Sequence, residues 1–307
     1  MFDLIIIGGG PAGVAAGVYA ARKKLKTLLL TDSIGGQSVV SATIENWIGS
    51  KSIAGADLAK SLANHILSYE SETVVIKKGV KVAKADKQSD HFIITDSQGD
   101  TYEGKTVLVA TGADRRKLTV PGSAEFEQKG ITYCASCDGP LFSDHDVVVI
   151  GGGNAGFESA SQLLAYCESV TVLEYLPDFK AEKITVEKLK QNPKFKACTN
   201  VELLEVRGDK FVNSVVYKNR TTGEVTTLPT TGVFVEIGFV ASSPFISHLV
   251  KTNPFGAIEI DPWTGKTSQE GIWAAGDCTN IIYHQNNIAV GEAIKATEDI
   301  YNYLSKK

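Results

Sequence analysis

The sequence predicts an α/β protein made of two parallel-sheet domains, and three observations carry that prediction. An apolar strand, a glycine-rich turn and a helical stretch occur in that order near the N-terminus. The same order recurs near the middle of the chain. The 307 residues are long enough for two domains with separate cores. A hydrophobic fraction of 43% against 21% charged residues excludes a disordered chain. Lys plus Arg number 31 against 35 Asp plus Glu, a formal net charge of −4, and the densest basic cluster is only Arg115, Arg116 and Lys117. No basic stripe for nucleic acid or an anionic membrane is present, so that cluster reads as a solvated turn.

The first element needs separating from a targeting segment, because residues 4–21 carry no charge. An acidic "MFD" precedes them rather than a basic flank, and Gly8, Gly9, Gly10, Pro11 and Gly13 would break a spanning helix near its middle. The segment is therefore assigned to a buried strand and helix. With no export or anchor signal, a cytoplasmic location is expected, where thiols are held reduced and a static disulfide is disfavoured.

The strand "LIII" ends at Gly8-x-Gly10-x-x-Gly13, with Pro11 and Ala12 inside the loop, and the helix runs to Arg22 before a second strand, "TLLLTD". In a dinucleotide-binding unit the first glycine makes the turn. The second lets backbone approach a pyrophosphate, and the third lets helix and strand pack closely. Helix-terminal N–H groups supply the anion site. Asp32, or its neighbour Thr31, ends the second strand where a ribose hydroxyl is held.

In the middle of the chain, "DVVVIGGGNAGFESA" gives a strand from Val147 to Ile150, then Gly151-x-Gly153-x-x-Gly156 with Asn154 and Ala155, then a helix toward Cys167 and the strand "VTVLEY". A lone glycine motif is weak, but the full strand–helix–strand context on both occasions implies two separate nucleotides. Late stretches return to the sheets: "VLVATGA" at 107–113, "VFVEIG" at 233–238 and "GIWAAGDCTN" with Asp277. The expected organisation is two Rossmann-like dinucleotide-binding domains. The first is discontinuous (1–114 and 246–307), and the second is inserted at 115–245, with hinges near Ala113 and Ser243.

The inserted domain carries "TYCASCDGP", with Cys134 and Cys137 in C-x-x-C spacing. Structural zinc needs four ligands, and neither a second such pair nor histidines at matching spacing occur, so no metal is expected. The redox reading is stronger, since two thiols this close can form a disulfide and resolve a mixed one. Asp138 is a candidate proton shuttle beside them, and equally an Asp-Gly turn residue. Cys167, near a helix end, Cys198, in a polar loop, and Cys278, at a buried strand end, are read as packing or incidental thiols.

In this order, the Gly8–Gly13 loop, "GGQ" at 35–37, "IENWIG" at 44–49, "ATGA" at 110–113, "YCASCDGPLF", "GGGNAG", "VEIG", "AAGDC" and "YHQ" at 283–285 match low-molecular-weight thioredoxin reductases, and the chain resembles that family over essentially its whole length. It is also similar to the reductase module of the alkyl hydroperoxide reductase flavoprotein, without that protein's extra N-terminal thioredoxin-like domains. The resemblance implies FAD on the first domain. Its holders would be the Gly8–Gly13 loop, Asp32, Gly36, Gln37, Asn46, the Ala110–Thr111–Gly112 turn and the Gly276–Asp277 segment, with His284 and Gln285 toward the flavin. It implies Cys137 as the sulfur facing the flavin, Cys134 as the one that attacks a partner disulfide, Asp138 as acid/base, and a homodimer. Nicotinamide and dithiol would share the second domain and could not both face the flavin at once, so a rotation about the two connections is expected.

One strand departs from the family pattern. Where NADPH-using members carry a His-Arg-Arg stretch and a further arginine, this chain has Glu174, Tyr175, Leu176 and Lys180. Glu174 stands where an acid hydrogen-bonds a ribose 2′-hydroxyl. Against a 2′-phosphate about 4 Å away its charge would cost roughly 4 kcal/mol at an effective dielectric of 20. NADH is therefore the expected donor, with reduced ferredoxin as an alternative, and a thioredoxin- or glutaredoxin-like protein is the expected acceptor. A ferredoxin/flavodoxin–NAD(P) reductase, which shares the fold, lacks the dithiol.

Overall fold

The computed structural model describes residues 1–41 and 44–306, leaving aside the side chains of Val40, Ser136 and Cys137. The chain forms two compact units, Met1–Asp114 with Val240–Lys307, and Arg115–Phe239.

In the first unit, Val74–Lys78, Thr27–Thr31, Phe2–Ile7 and Thr101–Val109 lie side by side in that order, all parallel, and Ile272–Ala274 adds to Thr101–Val109. Leu4, Ile5, Ile6, Leu28, Leu29 and Leu30 are at most 1% exposed. Burial on both faces is why these strands read as unbroken apolar runs rather than alternating ones. Against one face pack the helices Pro11–Arg22 and Asn286–Ser305, through Ala16, Ala20, Ala293 and Ile300. The antiparallel strands Val82–Lys87 and Phe92–Asp96 extend the sheet from the N-terminal half of Thr101–Val109, and Ala85, Phe92 and Ile94 cover the other face together with Ile246 and Ile258.

The second unit repeats the plan. Phe195–Cys198, Ser169–Leu173, Asp146–Ile150, Gly232–Val235 and Ile131–Thr132 form a parallel sheet in that order. The helix Asn154–Leu163 packs on it through Phe157, Ala160 and Leu163. A separate antiparallel sheet, Val201–Gly208, Val212–Asn219 and Val225–Pro229, completes the unit.

Three boundaries differ from the expectations above. The chain returns to the first unit at Val240, not 246, because Ser242 is tied there: its N–H donates to Gly112 O at 3.0 Å, its carbonyl accepts from Thr111 Oγ1 at 2.7 Å, and its Oγ meets Asp114 Oδ2 at 2.8 Å. The helix after the second glycine loop stops at Leu163, short of Cys167. There the Tyr166 carbonyl accepts from Asp144 N and Glu168 N donates to His145 O, which turns the chain toward the next strand. Cys198 lies in no loop but ends a strand, in register with Leu173.

The third glycine of each loop is fixed by space. A Cβ on Gly13 would stand 1.8 Å from Gly8 O, and one on Gly156 would stand 1.9 Å from Gly151 O. Gly13→Ala should therefore cost about 1–3 kcal/mol in urea unfolding, because backbone must move. Gly291→Ala, within Asn286–Ser305 and with nothing inside 4 Å of the added carbon, should instead stabilise by about 0.5–1 kcal/mol.

Candidate functional site

The strand order reverses beside Phe2–Ile7 in the first parallel sheet and beside Asp146–Ile150 in the second, the place where such sheets open a crevice at the carboxyl ends of their strands. In the first unit the crevice is a cavity of about 460 Å³. Gly8, Gly10, Pro11 and Ala12 line its floor, where Pro11 starts the helix without a wasted N–H. Gly8 takes φ +115° with Ala110 O where a side chain would stand, which brings the two strand ends together. Gly10, by contrast, has no atom nearer than 3.8 Å to an added Cβ, so the loop is open toward the cavity.

Thr31, Asp32 and Lys81 stand at the end of the second strand, with Lys81 Nζ 3.4 Å from Asp32 Oδ2. Gly36, Gln37, Ala110, Thr111 and Gly112 line the side walls, and Gln37 Nε2 reaches Ala113 O at 3.5 Å. Gly276, Asp277, His284 and Gln285 line the part contributed by the C-terminal segment. His284 Nδ1 lies 3.3 Å from Asp277 Oδ1, and that carboxylate raises the imidazole above the ordinary histidine range against the opposing effect of burial. Of the residues expected here, Gly13 is behind the wall as a packing glycine, and Asn46 does not line the cavity. Asn46 acts one step back: its Nδ2 donates to Gln285 Oε1 at 2.9 Å, and its carbonyl accepts from Asn287 Nδ2 at 2.7 Å.

In the second unit Gly151 repeats φ +115° against Glu236 O, and Gly153 has nothing within 4 Å of an added Cβ. Asn154 opens the helix and its Oδ1 accepts from Glu182 N at 2.9 Å, while Ala155 and Gly156 complete its first turn. Glu174, 8% exposed, is turned back on its own loop: Oε2 accepts from Gly152 N at 2.5 Å and Oε1 from Leu176 N at 2.7 Å. Each oxygen keeps a second lone pair for a hydroxyl. Spacing alone does not show Arg220, which arrives from the antiparallel sheet, stacks 3.9 Å over Tyr175 and donates to its carbonyl at 3.0 Å.

Glu236 also escapes a reading of the sequence, and only the sheet order reveals it. It follows Gly232–Val235 at the crevice, accepts from Ser159 Oγ at 2.7 Å and sits 3.1 and 3.2 Å from Arg115 NH1. Burial raises its carboxyl above the usual range, with Ser159 and Arg115 opposing.

Cys134 precedes the short helix Ala135–Asp138 and is disulfide-bonded. The side chain of Cys137, its expected partner, lies outside the described residues. Asp138 is anchored at both ends of this segment. Thr132 Oγ1 donates to its Oδ2, and its own N–H donates to Cys134 O at 3.1 Å. Thr132 Oγ1 in turn accepts from Cys134 N at 3.3 Å. Cys167, Cys198 and Cys278 are free, and burial pushes Cys167 and Cys278 up to about 11, which suppresses their thiolates.

Residues 2–294 match the family model described as pyridine nucleotide-disulphide oxidoreductase. A relative named NADH dehydrogenase from Bacillus subtilis (strain 168) is 39% identical over 303 residues, covering 99% of this chain and 58% of that protein. Another, from Escherichia coli (strain K12) and named as a component of alkyl hydroperoxide reductase, is 36% identical over 304 residues, again 99% and 58%. The chain thus spans less than two thirds of the length of these relatives. Among solved structures, Lactococcus lactis thioredoxin reductase superposes with a TM-score of 0.91 at 34% identity over 100% of both chains. The T. acidophilum enzyme gives 0.87 at 37% over 99% of each. The fold is that of these reductases, with two Rossmann-like domains, and the open cradles at Gly10 and Gly153 fit the backbone approach of a flavin dinucleotide and a pyridine nucleotide respectively.

Arg115→Ala should destabilise the second unit by about 1–3 kcal/mol in urea unfolding, because it strips a buried carboxylate of its cation. A carboxyl raised in the folded state withholds stability as pH climbs through its folded pKa. The loss should therefore be larger at about pH 8 than at about pH 5.

Proposed function

The chain belongs to the pyridine nucleotide-disulphide oxidoreductases, and we propose that it is a thioredoxin reductase-like flavoprotein that carries two electrons from NADH to a disulfide between Cys134 and Cys137, reducing it to the dithiol. FAD, when bound, supplies a two-electron carrier between nucleotide and disulfide. The single observation that carries the reading is the placement of a disulfide-bonded Cys134 in a C-x-x-C segment with Thr132 and Asp138 organised around it.

The residues divide the work. The Gly8–Gly13 loop and the start of Pro11–Arg22 would offer N–H groups to the flavin pyrophosphate, Asp32 would accept from its ribose, and Asp277, His284 and Gln285 would form the far wall. The Gly151–Gly156 loop would hold the pyridine nucleotide, with Glu174 accepting a ribose hydroxyl. In the final step the Cys134 thiolate attacks the partner's disulfide and forms a mixed disulfide, and a partner sulfur leaves. Cys137 then attacks Cys134, so that the partner departs as a dithiol and the chain is left with one S–S bond. Asp138, aligned by Thr132, gives or takes the proton as sulfurs leave and attack. The partner on this reading is a thioredoxin- or glutaredoxin-like protein, and the working form is a homodimer in a reducing cytoplasm.

NADH is favoured over NADPH because the buried carboxylate of Glu174 ends the strand where a ribose 2′ substituent would be held, although Arg220 brings a cation to the same strand end. A donor such as reduced ferredoxin is the second reading, favoured by Glu174 already holding two backbone N–H groups. Mixing anaerobic holoprotein with NADH should bleach the oxidised flavin band at far lower concentration than NADPH; the reverse order, or bleaching only by reduced ferredoxin, overturns the donor. Cys134→Ser should abolish disulfide reduction while electron transfer from donor to an artificial dye survives; retained disulfide reduction contradicts the dithiol route.

A further inference from the structure

Five charged or titratable side chains line the first cavity: Asp32, Lys81, Asp114, Asp277 and His284. Lys81 is paired with Asp32 at 3.4 Å, and Asp114 accepts from Ser242 Oγ at 2.8 Å. Among the described lining residues, the imidazole of His284 is therefore the one group left that can set a positive charge beside Asp277, which it approaches to 3.3 Å. From the helix Asn286–Ser305, Glu292 faces the same corner, its Oε2 accepting from Gly276 N at 2.9 Å and adding a second carboxylate near His284. Lys295 acts on Glu292 rather than on the cavity lining. A ligand that carries phosphate charge into this cavity thus meets a wall whose negative charge at the Asp277 corner is raised or lowered by a single proton.

We propose that His284 is a titratable counter-ion for the flavin dinucleotide, so that cofactor retention weakens as the imidazole loses its proton. The inference rests on the functional reading above, which puts FAD in this cavity. Protonated, His284 offsets Asp277 and leaves the N–H groups of the glycine loop to attract the phosphates. Deprotonated, it leaves Asp277 facing an anion, with Glu292 behind the Gly276 backbone, in a partly desolvated corner where repulsion is screened less than in bulk water. The Asp277 contact supports the charged form of the imidazole. A basic group raised in this way is fully charged below the ordinary range near about 6.5 and is discharged as pH climbs through its higher folded value. The weakening therefore falls on the alkaline side.

The test is the first-order release of FAD from the full-length holoprotein, followed by the rise in flavin fluorescence from about pH 6 to about pH 9. The native chain should release flavin about 3- to 10-fold faster at the alkaline end, the size of a shift of up to one unit in a single titrating group. His284→Lys, with a permanent charge, should hold flavin at the alkaline end as the native chain does at the acid end, with a flat profile. His284→Gln should be fast and flat throughout. A flat native profile, or an unchanged alkaline rise in His284→Lys, overturns the inference and leaves the functional reading standing. A native chain that carries no flavin overturns the functional reading and the inference with it.

Discussion

Two carbonyl oxygens, those of Gly8 and Gly151, set the limits within which the rest of the structure is arranged. Each lies where the Cβ of the glycine five residues later would stand. Strand and helix can approach that closely only without a side chain, and that approach aims the helix N-terminus across the carboxyl ends of a parallel sheet. The crevice position follows from the approach, and so do the neighbours that meet there: Ala110 beside Gly8, and Glu236 beside Gly151. Anion-binding N–H groups are thereby presented twice, once in each unit, from the same local geometry.

The two crevices then differ in their charged walls, and the difference carries their chemistry. The first gathers three carboxylates, a lysine and a histidine around an open loop. The second hides its acids: Glu174 is folded onto Gly152 N, and Glu236 is clamped by Arg115 and Ser159. The cysteine segment sits in the same unit as the second crevice, organised by a short chain of hydrogen bonds from Cys134 through Thr132 to Asp138. The three other cysteines are free, and two of them are buried. Burial thus suppresses thiolate formation at Cys167 and Cys278.

Much of this was legible in the sequence because glycine turns and buried parallel strands leave strong local marks. The unbroken "LIII" and "VVVI" runs, the spacing of the glycines and the C-x-x-C pair each have one dominant physical reading. Contacts made by distant segments were not legible. Arg220 reaches Tyr175 across 45 residues and Arg115 reaches Glu236 across 121, and nothing periodic announces either. The antiparallel strands Val82–Lys87 and Val201–Gly208 carry exposed or half-buried residues among the apolar ones, and no glycine motif marks their functional place. The placement of Val240–Phe245 in the first unit was equally hidden, because Ser242 reveals its allegiance only through hydrogen bonds to Thr111, Gly112 and Asp114.

On the proposed route, electrons delivered to the flavin end on one specific pair of sulfurs. Counting newly alkylated thiols by peptide mass spectrometry, after anaerobic reduction with a slight excess of NADH, tests it most directly. Label should appear on Cys134 and Cys137 together, only after donor is added, while labelling of Cys167, Cys198 and Cys278 is the same with and without donor. A flavin that is fully reduced while Cys134 and Cys137 stay unlabelled would contradict it.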